Sequence, residues 1–175
     1  MRFTLSAFIV IFLSACQITP TYQTNSVYNP EEILWSKLDG DSSVSGSAFL
    51  RTNGGAIVTC AGYKIRLYPE STYANERLSY LYGNLDNGFN LVYGSSTRGL
   101  SGVKKIDSGD PRYHADGRVS NCDVDGKFKF TNLPNGVYYL SVPVLWNTNV
   151  NAQGGYLLKK VDLTSGGDLE VVLTM

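Results

Sequence analysis

The chain's single histidine, His114, lies in a Gly- and Asp-rich stretch and is the first place to look for chemistry. An imidazole works as a general base when a hydroxyl nucleophile and an orienting carboxylate converge on it. Ser95 or Ser96 and Asp110 or Asp116 would have to fill those roles. Gly94-Ser95-Ser96 lacks the G-x-S-x-G context and no strand–turn–helix pattern surrounds it. His114 therefore reads as a solvated loop residue, and no catalytic residue is expected. Asp123-Val124-Asp125-Gly126 begins like a calcium loop, but Phe128 and Phe130 resume a strand where further oxygen ligands are needed. A hairpin turn accounts for it better. Asp107, Asp110, Asp116 and Asp123 could gather around an ion only if the fold brought them together, and neither metal nor cofactor is expected.

Tyrosine is the unusual residue, with 12 copies. Tyr73, Tyr80, Tyr82, Tyr93 and Tyr113 all fall in one segment. They read either as a cover over one end of the domain, with hydroxyls reaching water, or as an aromatic surface for a protein partner or for sugar stacking.

The N-terminus decides where these groups work. Arg2 precedes an apolar run from Phe3 to Leu13, 11 residues long, against roughly 20 for a membrane-spanning helix. That is the length of a signal-peptide core. Leu13-Ser14-Ala15-Cys16 follows, and it resembles the lipobox of bacterial lipoproteins. The resemblance implies cleavage after residue 15 and lipidation of the Cys16 thiol. Gln17, in place of Asp, implies sorting to the outer membrane, with the domain on its periplasmic face or at the cell surface. With Cys16 assigned to lipid, Cys60 and Cys122 remain in an oxidising compartment, where two thiols are expected to form a disulfide. No further Cys or His stands near either one to suggest a metal site.

Loss of residues 1–15 removes one basic residue and leaves a net charge of −1. Such a chain has no electrostatic basis for binding nucleic acid. The 18 glycines and recurrent short β-branched runs point to an all-β domain with many turns.

Residues 16–43 form a lipidated tether and a short helix. The polar run 17–28 has no apolar period. Asn29-Pro30-Glu31-Glu32 then carries an N-cap, a first-turn proline and two acids suited to the helix dipole. Strands are expected over 44–52, 60–70, 118–124, 127–131, 137–146, 156–164 and 168–174, about seven in all, making residues 44–175 one β-sandwich. Alternation places Tyr63, Ile65 and Leu67 on one face, and Tyr138, Leu140, Val142, Val144 and Trp146 on another, with Tyr139 opposite. Pro143 should mark an edge or a bulge. Residues 71–117 read as an insertion with one helix, 72–82, capped by Thr72 and ended by Gly83, followed by an irregular stretch.

Asp125-Gly126-Lys127-Phe128-Lys129-Phe130-Thr131-Asn132-Leu133-Pro134-Asn135-Gly136-Val137-Tyr138-Tyr139-Leu140, with Gly62-Tyr63-Lys64-Ile65-Arg66-Leu67-Tyr68-Pro69 before it, resembles the carboxypeptidase regulatory-like domains. These are prealbumin-like (transthyretin-like) Greek-key sandwiches. The resemblance implies that Phe128, Phe130, Tyr138 and Leu140 enter one core and that Leu133-Pro134-Asn135-Gly136 is the turn pairing their strands. Modules of this kind bind proteins or sugars, assist enzymes or serve as spacers. The expectation is therefore a non-enzymatic, membrane-anchored lipoprotein that contacts an envelope protein, with 71–117 as contact surface. The alternative is a carbohydrate-binding module that presents exposed Tyr or Trp to a glycan.

Overall fold

A computed structural model describes residues 21–91, 104–149 and 152–175. The expected signal peptide, Cys16, Tyr93, Ser95 and Ser96 lie outside the described residues. A 3-10 helix, Pro30–Lys37, leads into β1 (Ser42–Arg51), β2 (Ile57–Thr59) and β3 (Lys64–Pro69). Then come α1 (Thr72–Tyr82), β4 (Asn87–Leu91), α2 (Pro111–Asp116) and β5 (Arg118–Asn121). The chain closes with β6 (Lys127–Leu133), β7 (Val137–Asn147), β8 (Ala152–Asp162) and β9 (Asp168–Leu173).

The strands form the expected all-β sandwich of two sheets. In the smaller, β1 pairs antiparallel with β6 along one edge. β1 also pairs in parallel with β9 on its other edge, and over Phe49–Arg51 antiparallel with β2. The larger sheet, order β4-β8-β7-β3-β5, is antiparallel throughout. Nine strands are present among the described residues, because β2 and β4 join the seven expected.

Alternation along the strands builds the core between the sheets. Phe128 and Phe130 of β6 face Tyr138, Leu140 and Val142 of β7, with Ile65 and Leu67 of β3 beside them, all buried. Burial of each such side chain contributes about 1.5–3 kcal/mol before entropy is counted. At the Asp125-Gly126 turn, Gly126 has φ +76° and a Cβ there would lie 2.5 Å from Cβ of Thr59, so only glycine fits. Asp123 is spent on the same turn: its Oδ1 accepts from the amides of Asp125 (2.9 Å) and Lys127 (2.8 Å). That satisfies the acid as a turn residue, but the expected hairpin is not formed: β5 lies in the larger sheet and β6 in the smaller, so the turn carries the chain across the sandwich.

The reading of Leu133-Pro134-Asn135-Gly136 as a hairpin needs correction. β6 belongs to the smaller sheet and β7 to the larger, so this turn carries the chain across the sandwich and pairs neither strand with the other. Asn132 takes φ +56° and Leu133 is fully buried, which bends the chain out of β6. Gly136 then passes under Trp35, where an added Cβ would meet the indole at 2.2 Å. Trp35 also stands edge-on to Tyr138, with ring centroids 5.2 Å apart. Pro143 sits in a central strand, yet β3 pairs with β7 only as far as Ser141. Its missing N–H therefore falls where β7 is locally an edge, as the chemistry of proline requires.

The outward face of the larger sheet is covered by a helical layer. Tyr68, Tyr139 and Leu158 on that face pack with Tyr73, Ala74, Leu78 and Tyr82 of α1, Tyr113 of α2, and Tyr28 and Ile33 from before β1. Ser71, not Thr72, caps α1, its Oγ accepting from the Ala74 amide at 3.1 Å; Gly83 ends the helix at φ +75°.

The disulfide is formed: Cys60, after β2, is bonded to Cys122, after β5. Both are buried in the intersheet core. The bond closes a loop that holds β3, α1, β4, α2 and β5.

Candidate functional site

Between the outward face of the larger sheet and the helical layer opens a cleft of about 660 Å³. Small-molecule sites run from about 300 to 1,000 Å³. The sheet supplies its floor in register. Arg66 of β3 pairs with Ser141 of β7, and Ser141 with Leu158 of β8. Two residues further along β7, Pro143 pairs with Tyr156 of β8, which pairs in turn with Asn90 of β4. Helix α1 contributes Arg77, Leu78, Leu81 and Tyr82 as one wall, and α2 contributes Tyr113 and His114.

The aromatic rings are fixed in place. Tyr113 stacks on Tyr68, with centroids 4.7 Å apart, and stands edge-on to Tyr73 and Tyr28. The Tyr82 hydroxyl shares a hydrogen bond with Ser141 Oγ at 2.7 Å. Burial pushes the Tyr68, Tyr82 and Tyr113 hydroxyls above the ordinary phenol range, so they stay protonated. The Tyr113 hydroxyl is buried without a hydrogen-bond partner among the described residues. A buried polar group left so costs about 1–3 kcal/mol. Tyr156 is different: it keeps 38% of its surface exposed and offers its ring to the cleft mouth.

His114 lies at the rim with Nδ1 3.3 Å from the Tyr68 hydroxyl. Burial, and then the charges of Arg77 and Arg66, hold its imidazole below the usual histidine range. Neither candidate carboxylate reaches it. Asp110 is taken by Arg112 (2.6 Å), and Asp116 by Lys37 (2.8 Å) and the Tyr28 hydroxyl (2.5 Å). Ser95 and Ser96 lie outside the described residues. Among the described residues no group of three acids, histidines or cysteines is placed to hold a metal.

Arg77 secures the wall. It is 4% exposed, pairs with Asp107, and donates from Nη2 to the Asp107 carbonyl at 2.8 Å. Its guanidinium lies 5.4 Å from the Tyr73 ring centre. The Asp107 carboxylate also accepts from the Thr24 amide (2.6 Å), and this bond and Arg77 hold it below its usual range. The polar run expected to be a tether is therefore docked from Tyr22 onward. Tyr22 bridges to Ile106, and the Asn25 and Ser26 amides each donate to Glu76 at 2.7 Å. Buried partners on α1 override a composition that reads as linker.

The five tyrosines proposed as contact surface divide. Tyr73, Tyr82 and Tyr113 are buried and cannot form an exposed surface, because α1 and α2 turn them toward the sheet. Tyr80 is partly exposed and stacks on Tyr22 at 4.2 Å. Tyr93 is outside the described residues. Tyr82 and Tyr113 nonetheless line the cleft. The residues missed are Arg66, Ser141, Pro143 and Tyr156, outward positions of three strands. Alternation marks them as outward, and only the insertion makes that face a site. Helix α2 was missed too, although Asp110-Pro111 repeats the cap-then-proline pattern of Asn29-Pro30, and the Asp110 side chain does accept from the Arg112 amide.

No protein-family model matches the chain, and no curated protein matches it. Among solved structures it is similar to a candidate carbohydrate binding protein from Pseudomonas aeruginosa. Identity is 24%, the TM-score is 0.63, and the likeness covers 85% of this chain and 97% of that one. It is also similar to the group B streptococcus pilus 2b backbone protein, at 16% identity and a TM-score of 0.34 over 77% of this chain and 40% of that one. The second likeness is too distant to carry an argument. The first shows a shared β-rich fold.

Proposed function

We propose that this chain is an envelope lipoprotein, anchored through Cys16, whose cleft binds a saccharide without transforming it. The observation that carries the reading is the cleft itself. It sets the exposed ring of Tyr156, with Pro143 and the tyrosines of the wall, among the hydrogen-bonding groups Arg66, Asn90, Ser141 and His114. A sugar needs that mixture, because its C–H faces lie on aromatic rings while its hydroxyls need donors and acceptors at fixed places. The description of the similar P. aeruginosa protein agrees with this reading. In this account the sandwich is of the carboxypeptidase regulatory-like kind, held at the outer membrane by its lipid.

A glycan array probed with the full-length protein in detergent tests it. Binding that is lost in Tyr156→Ala while the fold is kept supports the cleft. Retention on no glycan, with recovery of one stoichiometric envelope protein, contradicts it.

That second outcome would favour the protein-contact reading, which draws on a different place. Val27, Leu34 and Leu38 expose 83%, 56% and 64% of their surfaces along the N-terminal segment.

A further inference from the structure

The residues lining the cleft carry charge of one sign. Lys64, Arg66 and Arg77 are among them, and no Asp or Glu is. The whole chain balances 15 basic against 15 acidic residues, so this lining is a local arrangement and does not reflect a basic protein. The charge of Arg77 is answered by Asp107. Arg66 and Lys64 form no ion pair among the described residues. Arg66 donates from Nη1 to the His114 carbonyl at 3.3 Å, which tethers one arm of the guanidinium to the cleft rim. The guanidinium also meets the Tyr68 hydroxyl; a planar five-donor fork has donors beyond these two contacts, and such a fork matches a carboxylate. Arg66 and Tyr156 stand two strands apart, roughly 10 Å across the sheet. A ligand longer than one sugar ring is needed to meet both.

We infer that the cleft selects an acidic saccharide, with a uronate carboxylate held by Arg66 and a neighbouring ring against Tyr156. Lys64, exposed at the cleft edge, adds attraction at longer range and little positional control. His114 donates or accepts at the rim as a neutral ring. This rests on the saccharide reading above and narrows it to a chemical class.

The test is calorimetric titration of the full-length protein in detergent with a panel of hexuronate disaccharides. Each is set against its carboxyl-reduced, neutral counterpart. At least one uronate is expected to bind about tenfold tighter than its neutral twin, the worth of one strong charge-assisted contact. Added salt should shrink that advantage. Arg66→Gln should erase it, bringing each acidic saccharide and its neutral twin to the same affinity, and Lys64→Gln should reduce it only in part. Circular dichroism verifies that both variants fold. Equal binding of every acidic and neutral pair overturns the inference and leaves the saccharide reading standing. A preference that survives Arg66→Gln overturns the role of Arg66. Binding by no member of either set overturns this inference and the reading beneath it.

Discussion

The ring of Tyr113 lies flat on the ring of Tyr68, with planes 8° from parallel. The pair joins the short helix α2 to the outward face of β3, and on one side of it opens the cleft. The Tyr113 hydroxyl is buried without a hydrogen-bond partner among the described residues, so the ring holds the wall while the hydroxyl is left unsatisfied. Tyr113→Phe should therefore leave the stack intact and raise the stability of the free protein by up to about 1 kcal/mol, since an unmade hydrogen bond is removed. Saccharide affinity should be little changed, because the hydroxyl presents no surface to the cleft. Urea unfolding and calorimetric titration, run on the same variant, check both expectations.

Arg77 holds the other wall from within. Replacing it by Met keeps the stem and leaves Asp107, which is 21% exposed, without its cation. The expected loss is about 2–3 kcal/mol, below the cost for a fully buried pair because water still reaches the acid. Denaturant melts measure it. A loss under half a kcal/mol would mean that the Tyr73 and Tyr113 rings, not the ion pair, hold this wall.

The docked segment before the 3-10 helix should be acid-labile in a defined window. Hydrogen bonds from Ser26, the Asn25 amide and the Tyr22 hydroxyl pull the Glu76 carboxyl from its ordinary 4.5 down to about 2. A depressed acid contributes stability that is fully present above its unfolded value and is lost as pH falls through the folded one. The Asn25 and Ser26 amide resonances should hold their positions from neutral pH to about pH 4 and shift with a midpoint near 2. Glu76→Gln should remove that transition. A midpoint near 4.5 would show that the segment is not docked through Glu76.

The Cys60–Cys122 bond spans 62 residues, and a loop of that length is worth about 4 kcal/mol in the chain-entropy model. The double Cys→Ser variant should lose close to that amount in urea unfolding. The insertion should become the part most open to protease, since the bond closes the loop that holds it.

Much of the sandwich was legible because side-chain alternation is a local property. Phe128, Phe130, Tyr138 and Leu140 declare a core by spacing alone, and they are all buried. Which sheet a strand joins is not local. Leu133-Pro134-Asn135-Gly136 spells a turn, but whether it closes a hairpin depends on partners such as β1 and β3, far away in the chain. The cleft was illegible for the same reason. Arg66, Ser141 and Tyr156 look like ordinary solvent-facing positions until α1 and α2 fold over them. The tyrosines showed that the insertion mattered, but their number could not show that α1 turns Tyr73 and Tyr82 inward.

The most direct measurement is amide chemical-shift mapping of the full-length protein in micelles during titration with the hexuronate disaccharides. The expected result is saturable shifts confined to the cleft strands, at Lys64–Tyr68, Ser141, Val142, Tyr156 and Asn90, together with Tyr113 and His114. Shifts on the smaller sheet, around β1 and β9, or no saturable shifts with any member of the panel, would contradict it.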